Sequence, residues 1–373
     1  MILHICNDFS LTKVHSNLYK SIDELNIPQI IFNPVREATP IGNNNINFKT
    51  SYSKILYSKK LKKAHKILYR NKISYLCDDL ISKIDITKIT ISHATTLFSD
   101  GGISYLLKKK YNIPYIVAVR STDLEVFLKF RPDLIFMAKE ILNEAEQIIF
   151  ISDSLQNKFF KHPLILGNKD ALKSKSKIIY NGINDFWLDN QEKKKEIVPF
   201  KILYVGRLIP RKNLIKLATV IINLNKSGYN LQLNIVGSGG KDEQKIKELS
   251  INNKNSINLI GSVNDKNKLK QIYNENHIFA MPSKGETFGL VYIESLSQGL
   301  PLLYLENDGI DKVFNFPVGE KCKIDDYEQI KISLINLIDN YKVYNLDKID
   351  FSLFRWSNIA TKYTQLYNKH ANN

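Results

Sequence analysis

Short apolar runs alternate with helix-periodic stretches along this chain, and the alternation starts over once, near the middle. Ile2-Leu3-His4-Ile5-Cys6, Gln29-Ile30-Ile31-Phe32, Ile89–Ser92, Tyr115–Val119 and Gln147–Ile151 read as buried strands, with helical patterns between them, the first from Asn17 to Leu25. Apolar strands alternating with helices predict a parallel, doubly wound α/β sheet. After a polar, lysine-rich stretch at 189–196, Lys201–Val205 opens a second series with strands at Leu231–Val236, Ile257–Ile260, Ile278–Met281 and Pro301–Leu305. Its helices are expected from about Asn213, around 241–250, at Asn267–Asn274 and at Leu290–Gln298. At 373 residues the chain exceeds one ordinary core. The expected organisation is an N-terminal domain over 1–188, a hinge-like linker over 189–199, a second domain over 200–350, and a C-terminal segment over 351–373 containing a helix at Trp356–Asn368.

Open parallel sheets bind ligands beyond the carboxyl ends of their strands, so the loops after the strands are where chemistry is expected. After Ile278–Met281, two carboxylates, Glu286 and Glu294, flank the turn Thr287-Phe288-Gly289, which opens into an amphipathic helix. A helix start offers amides to an anion, and carboxylates accept from sugar hydroxyls; together they suit a nucleotide-sugar. An isolated pair of glutamates is as well explained by solvated helix charges, so the strand-loop-helix context carries the reading. After Lys201–Val205 comes Gly206-Arg207-Leu208-Ile209-Pro210-Arg211-Lys212-Asn213. Two fixed cations there, Arg207 and Lys212, can stabilise the charge on a departing diphosphate. Gly237-Ser238-Gly239-Gly240 and Gly261-Ser262-Val263 are further strand-end loops, weak signals by themselves.

Taken together these loops resemble the retaining nucleotide-sugar glycosyltransferases of family 4. The likeness is strong over about 175–300, recognisable from about 140, and weak before that. It implies the GT-B fold: two Rossmann-like domains facing a cleft, with the last helix crossing back onto the N-terminal domain. It assigns Glu286 to donor-sugar hydroxyls, Glu294 to the ribose, and Arg207 and Lys212 to the diphosphate. Amides near Phe288, Gly289 and Leu290 would orient the sugar, while the loops holding Gly237 and Val263 would lie near the nucleotide. Asn181-Gly182-Ile183 resembles the family's turn between domains. On the acceptor or sugar side, Arg120 stands where the family commonly has a histidine, and Asp123, His93, Asp100 and His15 are further candidates. An arginine cannot serve as a base. The implied reaction moves a hexose from a nucleoside-diphosphate-sugar, UDP- or GDP-linked, to a hydroxyl of a glycan or lipid-linked saccharide, as in bacterial surface polysaccharide synthesis. No separate cofactor is expected. No Asp-x-Asp element lies at a strand end, so no metal site is expected either.

Lys+Arg 53 against Asp+Glu 37 gives a net charge of +16, which calls for anionic partners. The stretch 54–72 contains no acid. Tyr57, Leu61, Ala64 and Leu68 fall on one helical stripe, with Lys59, Lys62, Lys63, Lys66 and Arg70 largely off it. This reads equally as a basic amphipathic helix on anionic headgroups, each cation contributing about 1 kcal/mol, and as a helix packed on the core with solvated lysines. The three cysteines, Cys6, Cys77 and Cys322, have no paired spacing, which suits a reducing cytoplasm. No basic leader and no membrane-length apolar stretch is evident, so a cytoplasmic protein, peripheral at most on the membrane's inner face, is expected. Two rival readings are a nucleotide-sugar epimerase of the same fold and a basic nucleic-acid-binding protein. Arg207, Lys212 and the glutamate spacing favour the transferase. The basic run lacks interleaved stacking aromatics, so no nucleic-acid partner is expected.

Overall fold

The computed structural model describes residues 1–163, 165, 169–198 and 200–371. The chain forms two compact units. One comprises Met1–Gly182 together with Leu353 to the C-terminus; the other is Ile183–Ser352.

The first unit is built on strands β1 (Ile2–Ile5), β2 (Gln29–Asn33), β3 (Lys54–Tyr57), β4 (Ile91–Ala94), β5 (Tyr115–Ala118), β6 (Gln147–Phe150) and β7 (Ser176–Ile178). They pair in the order β3-β2-β1-β4-β5-β6-β7, all parallel. β1 has every residue buried because it is central, with Ile2 opposite both Gln29 and Ile91. The first helix, Lys13–Asp23, begins earlier than its apolar periodicity predicts, because the Thr12 hydroxyl caps it by accepting the Val14 N–H at 3.3 Å. The C-terminal helix, Trp356–Ala371, lies against the same sheet. Its Trp356, Ile359, Tyr363, Leu366 and Tyr367 share one core with Ile2, Phe9, Tyr19 and Ile116.

The expected helix over 54–72 does not form. Lys54–Tyr57 is the edge strand β3, in register with β2 from Ile30↔Lys54 to Asn33↔Tyr57. Lys63–Lys66 is a single 3₁₀ turn, and a helix begins only at Tyr69. Lys54-Ile55-Leu56-Tyr57 offers β-favouring side chains to an open sheet edge. The chain beyond is then tied down by the Leu61 N–H on the Val35 carbonyl (2.9 Å) and the Lys59 N–H on the Asp79 carboxylate (2.9 Å). Sheet pairing outweighs the helical period. The apolar stripe is broken as well: Ala64 is exposed, and Leu68 is 50% exposed. The side chain of Lys66 lies outside the described structure.

The second unit has strands β8 (Lys201–Val205), β9 (Gln232–Val236), β10 (Ile257–Gly261), β11 (Ile278–Ala280), β12 (Leu302–Leu305) and β13 (Gly319–Cys322), parallel in the order β10-β9-β8-β11-β12-β13. The expected linker is part of this unit. The helix Asp185–Asp189 sets Trp187 against Tyr273, ring centroids 5.3 Å apart. The Glu192 N–H donates to the Ser297 carbonyl at 2.9 Å, and its carboxylate pairs with Lys270 at 2.9 Å. The lysine-rich composition that suggested a linker thus reflects ion pairs and hydrogen bonds to this unit's surface. The chain instead passes between units at Gly182–Ile183 and Ser352–Leu353. Pro199, at the end of the expected linker, and Asn372 and Asn373 lie outside the described residues. Among the described residues, no helix is long and apolar enough to cross a membrane.

Candidate active site

In the second sheet the chain steps outward from β8 to β9 and β10, then returns to the other side of β8 with β11 and continues to β12 and β13. The topological switch lies between β8 and β11, where a doubly wound sheet opens a ligand crevice beyond its carboxyl edge. The loops after these two strands carry Arg207, Lys212 and Glu286.

These loops are fixed mainly by backbone contacts. The Gly206 N–H donates to the Val236 carbonyl and the Gly237 N–H to the Gly261 carbonyl, both at 2.9 Å. A Cβ on Gly237 would stand 1.9 Å from the Gly206 carbonyl oxygen, so only glycine allows this approach. The Leu208 N–H donates to the Gly239 carbonyl at 2.9 Å. The Ser238 and Ser262 hydroxyls meet at 2.5 Å, beside Val263. The loops after β8, β9 and β10 therefore form one rigid rim.

Across the switch point, Asn213 donates its side-chain amide to the Pro282 carbonyl at 2.8 Å, and the Lys284 N–H donates to the Arg211 carbonyl at 2.7 Å. Lys212, largely buried, makes an ion pair with Glu286. Arg211 reaches the same carboxylate oxygen, Oε2, at 3.9 Å. Among the described residues the other oxygen, Oε1, has no hydrogen-bond partner, and the exposed Arg207 side chain has neither hydrogen bond nor ion pair. An ammonium has three donors and a carboxylate about four acceptor positions, so the Lys212–Glu286 pair retains capacity for a phosphate oxygen and for hydroxyls.

A third loop, after β12, was not singled out from the sequence and braces the glutamate. The Gly309 N–H donates to the Glu286 carbonyl and the Asp308 carboxylate accepts the Gly285 N–H, both at 2.8 Å. Its signal was present in Asn307-Asp308-Gly309, a turn sequence placed directly after a strand.

Gly289, at φ +76°, turns the chain into the helix Leu290–Ser297. A Cβ there would lie 2.5 Å from the Tyr292 ring. Phe288 is buried, whereas Leu290 is partly exposed at the helix start, whose first-turn amides have no acceptor within the helix. Glu294 lies one turn further along. Burial pushes its carboxyl up to about 7, against the opposing effect of the Lys266 ammonium.

The first unit treats its candidates differently. Asp123 is fully buried and accepts backbone N–H groups from Arg120 (2.8 Å), Leu97 (3.1 Å) and Phe98 (3.3 Å), pinning the loops after β4 and β5 together. Burial raises its carboxyl to about 7 despite those bonds. Asp100, also fully buried, accepts from Asn7 (3.1 Å), Thr95 (2.8 Å) and Thr96 (3.0 Å) and is raised to about 6 by burial. Arg120 is partly exposed and donates Nε–H to the Thr95 carbonyl at 3.0 Å. His15 is buried on the first helix beside Tyr19, and burial lowers it to about 3. His93 is not at a ligand-facing loop. It lies within β4, 1% exposed, stacked on Tyr363 and bonded through Nδ1 to the Tyr367 hydroxyl at 2.8 Å. Its place at a strand end suggested a crevice residue, but the C-terminal helix covers it.

Residues 185–346 match the family described as "Glycosyl transferases group 1". An uncharacterized glycosyltransferase of Methanocaldococcus jannaschii is 24% identical over 290 residues, covering 76% of each chain. The capsular polysaccharide biosynthesis glycosyltransferase CapM of Staphylococcus aureus is 30% identical over 237 residues, covering 60% of this chain and 61% of that one. The solved sucrose-phosphate synthase of Thermosynechococcus elongatus superposes with a TM-score of 0.69 at 16% identity, covering 99% of this chain and 98% of that one. With two parallel Rossmann-like halves of this architecture and a second unit that carries the group 1 pattern, the chain is a GT-B glycosyltransferase.

Proposed function

We propose that this chain is a retaining glycosyltransferase of family 4, transferring a sugar from a nucleoside-diphosphate donor to a hydroxyl of a glycan or lipid-linked saccharide. The observation that carries the reading is the Lys212–Glu286 pair across the β8/β11 switch, with Arg207 on the same loop as Lys212. Arg207 and Lys212 supply positive charge to the diphosphate as it departs. Glu286 and the amides at the start of Leu290–Ser297 orient the sugar, and Glu294 accepts from the ribose. Gly237 and Val263 belong to the rim that faces the nucleotide.

In the reaction the bond from the anomeric carbon to the diphosphate oxygen breaks, and a bond to the acceptor oxygen forms on the same face of the sugar. The acceptor's proton passes to the departing phosphate oxygen. Nucleoside diphosphate and a glycoside of unchanged anomeric configuration result. The first unit holds the acceptor, with Arg120 contributing to sugar or acceptor contacts. Similarity to a capsular polysaccharide enzyme supports a role in surface polysaccharide synthesis, and a net charge of +16 supports an anionic acceptor or an anionic membrane face. The 54–72 segment no longer supports the membrane part as a helix.

The test is to incubate the full chain with UDP-, GDP- and ADP-sugars and follow the anomeric proton by NMR. Release of nucleoside diphosphate with retained configuration is expected from one donor class, and its loss in Lys212→Ala. Inversion, or release unaffected by Lys212→Ala, refutes the mechanism.

A further inference from the structure

The first unit contains a cavity of about 600 Å³ lined by none of the residues assigned to the donor. It opens beyond the carboxyl ends of three parallel strands: Arg36 follows β2, Leu61 and Lys62 follow β3, and Phe127 follows β5. This is the edge at which open α/β sheets take ligands. The loops are joined there by the Leu61 N–H on the Val35 carbonyl, at 2.9 Å.

The wall is strongly cationic: Arg36, Lys62, Lys63, Lys72 and Arg131 face a single acid, Glu37. Arg131 is already neutralised by Asp133 through two bonds of 2.8 and 2.7 Å. Lys72 is not. It is 7% exposed, its ammonium donates to the Ser99 hydroxyl at 3.0 Å, and among the described residues no carboxylate stands within ion-pair distance. Arg36 likewise makes no ion pair among the described residues. The carboxylate that acts on Lys72, Asp100, is held by Asn7, Thr95 and Thr96, so this buried ammonium lacks a direct ion-pair partner, a costly arrangement that an anion in the cavity would relieve. Burial, with Arg36 adding to it and Asp100 opposing it, lowers Lys72 to about 8, so it still carries charge at neutral pH.

The rest of the wall is aromatic and rigid. The Tyr69 hydroxyl donates to the Phe98 carbonyl at 2.6 Å, and Phe127 stacks on Phe98 with centroids 4.6 Å apart and planes within 10°. An inorganic ion needs no such wall, whereas a ligand with an organic body does.

We propose that this cavity binds a phosphoryl group on an organic body, Arg36 and Lys72 holding the phosphoryl oxygens while Tyr69 and Phe127 pack the body. On the transferase reading given above, on which this last step rests, that ligand is the acceptor or its carrier. The guanidinium fork suits two phosphoryl oxygens at once, and the exposed Lys62 and Lys63 raise the anion's concentration at the mouth.

The full chain is titrated with glycerol 3-phosphate, with glycerol as the uncharged control, and in parallel with phosphatidylglycerol vesicles against phosphatidylcholine vesicles. Binding of either anionic probe is expected, weakened at least tenfold by Arg36→Ser and by Lys72→Met. Binding of soluble glycerol 3-phosphate marks a free phosphate ester as the source; binding of anionic vesicles alone marks a lipid headgroup. Because Lys72 is buried, melting curves accompany its variant, and the exposed Arg36 gives an independent answer if Lys72→Met does not fold. The proposal is overturned if neither probe binds, or if both variants bind as tightly as the parent. UDP- and GDP-sugars are titrated onto the same parent protein. Donor binding without the phosphoryl ligand overturns the cavity assignment alone, and the reverse overturns the donor reading alone.

Discussion

Beyond β8, β9 and β10 the loops of the second unit bond backbone to backbone, with Gly237 letting two peptide chains nearly touch. Beyond β4 and β5 in the first unit, the loops are held by a buried carboxylate, Asp123, that gathers three amides. The two sheets share a strand order and differ in how far acids are buried within their loops. The second unit holds its rim mainly through backbone, with Glu243 accepting the Gly239 N–H at 2.9 Å and Asp308 the Gly285 N–H at 2.8 Å, while Glu286 stays paired with Lys212 and with one oxygen uncommitted. The first unit uses Asp100 and Asp123 as internal braces, and its Arg36 and Lys72 line a cavity.

The contrast breaks most sharply at Glu286. Glu286→Ala is expected to abolish transfer while circular dichroism stays that of the folded parent, with melting lowered because the largely buried Lys212 loses its partner; retained activity would remove this residue from the chemistry. Next come the cations. Arg207→Ala and Lys212→Ala should each slow turnover by about 10²–10³-fold, as expected when preorganised charge is lost. Arg207→Ala should leave the melting temperature unchanged, since the side chain is exposed. Equal rates in parent and variant would deny the diphosphate role.

Gly237→Ala probes the backbone rim itself. Forcing a methyl into the Gly206 carbonyl should destabilise the second unit by about 3 kcal/mol and weaken donor binding with it. Chemical denaturation followed by Trp187 emission, in a Trp356→Phe background, reads that unit. An unshifted midpoint would mean the rim is not rigid.

The smallest effects are pH-dependent and run in opposite directions. Glu294 is raised to about 7 in the fold, from an ordinary value near 4.5, so its contribution to stability is intact below 4.5 and lost as pH rises through 7. Glu294→Gln should therefore melt above the parent at pH 8, with the gap closing toward pH 4.5, while binding donor more weakly. His15 is lowered to about 3 from 6.5, so its contribution is intact above 6.5 and lost as pH falls toward 3. His15→Gln should gain on the parent as the solution is acidified from pH 7 to 5. Melting curves across pH decide both, and gaps of equal size at every pH would contradict these environments.

Much of the second unit's candidate site was legible because its residues are close in sequence. Arg207 and Lys212 lie on one strand-end loop, and Glu286 and Glu294 straddle one turn, so short spacings carry the geometry. The strand runs were legible for the same reason, apolar sequence reporting directly on burial. The site proposed in the first unit depends on long-range pairing. Arg36, Lys72 and Phe127 come together only because β2, β3 and β5 end along one edge. The stretch 54–72 misleads because a helical period and an edge strand overlap in it, and a free edge beside β2 decides between them. His93 misleads because the helix that buries it is distant in sequence, through Tyr367.

Amide hydrogen exchange of the full chain, with and without its consumed UDP- or GDP-sugar, tests the donor assignment most directly. Slowed exchange over 206–213 and 285–294, lost in Glu286→Ala, is the predicted result. Protection confined to the first unit while donor is still turned over would contradict it.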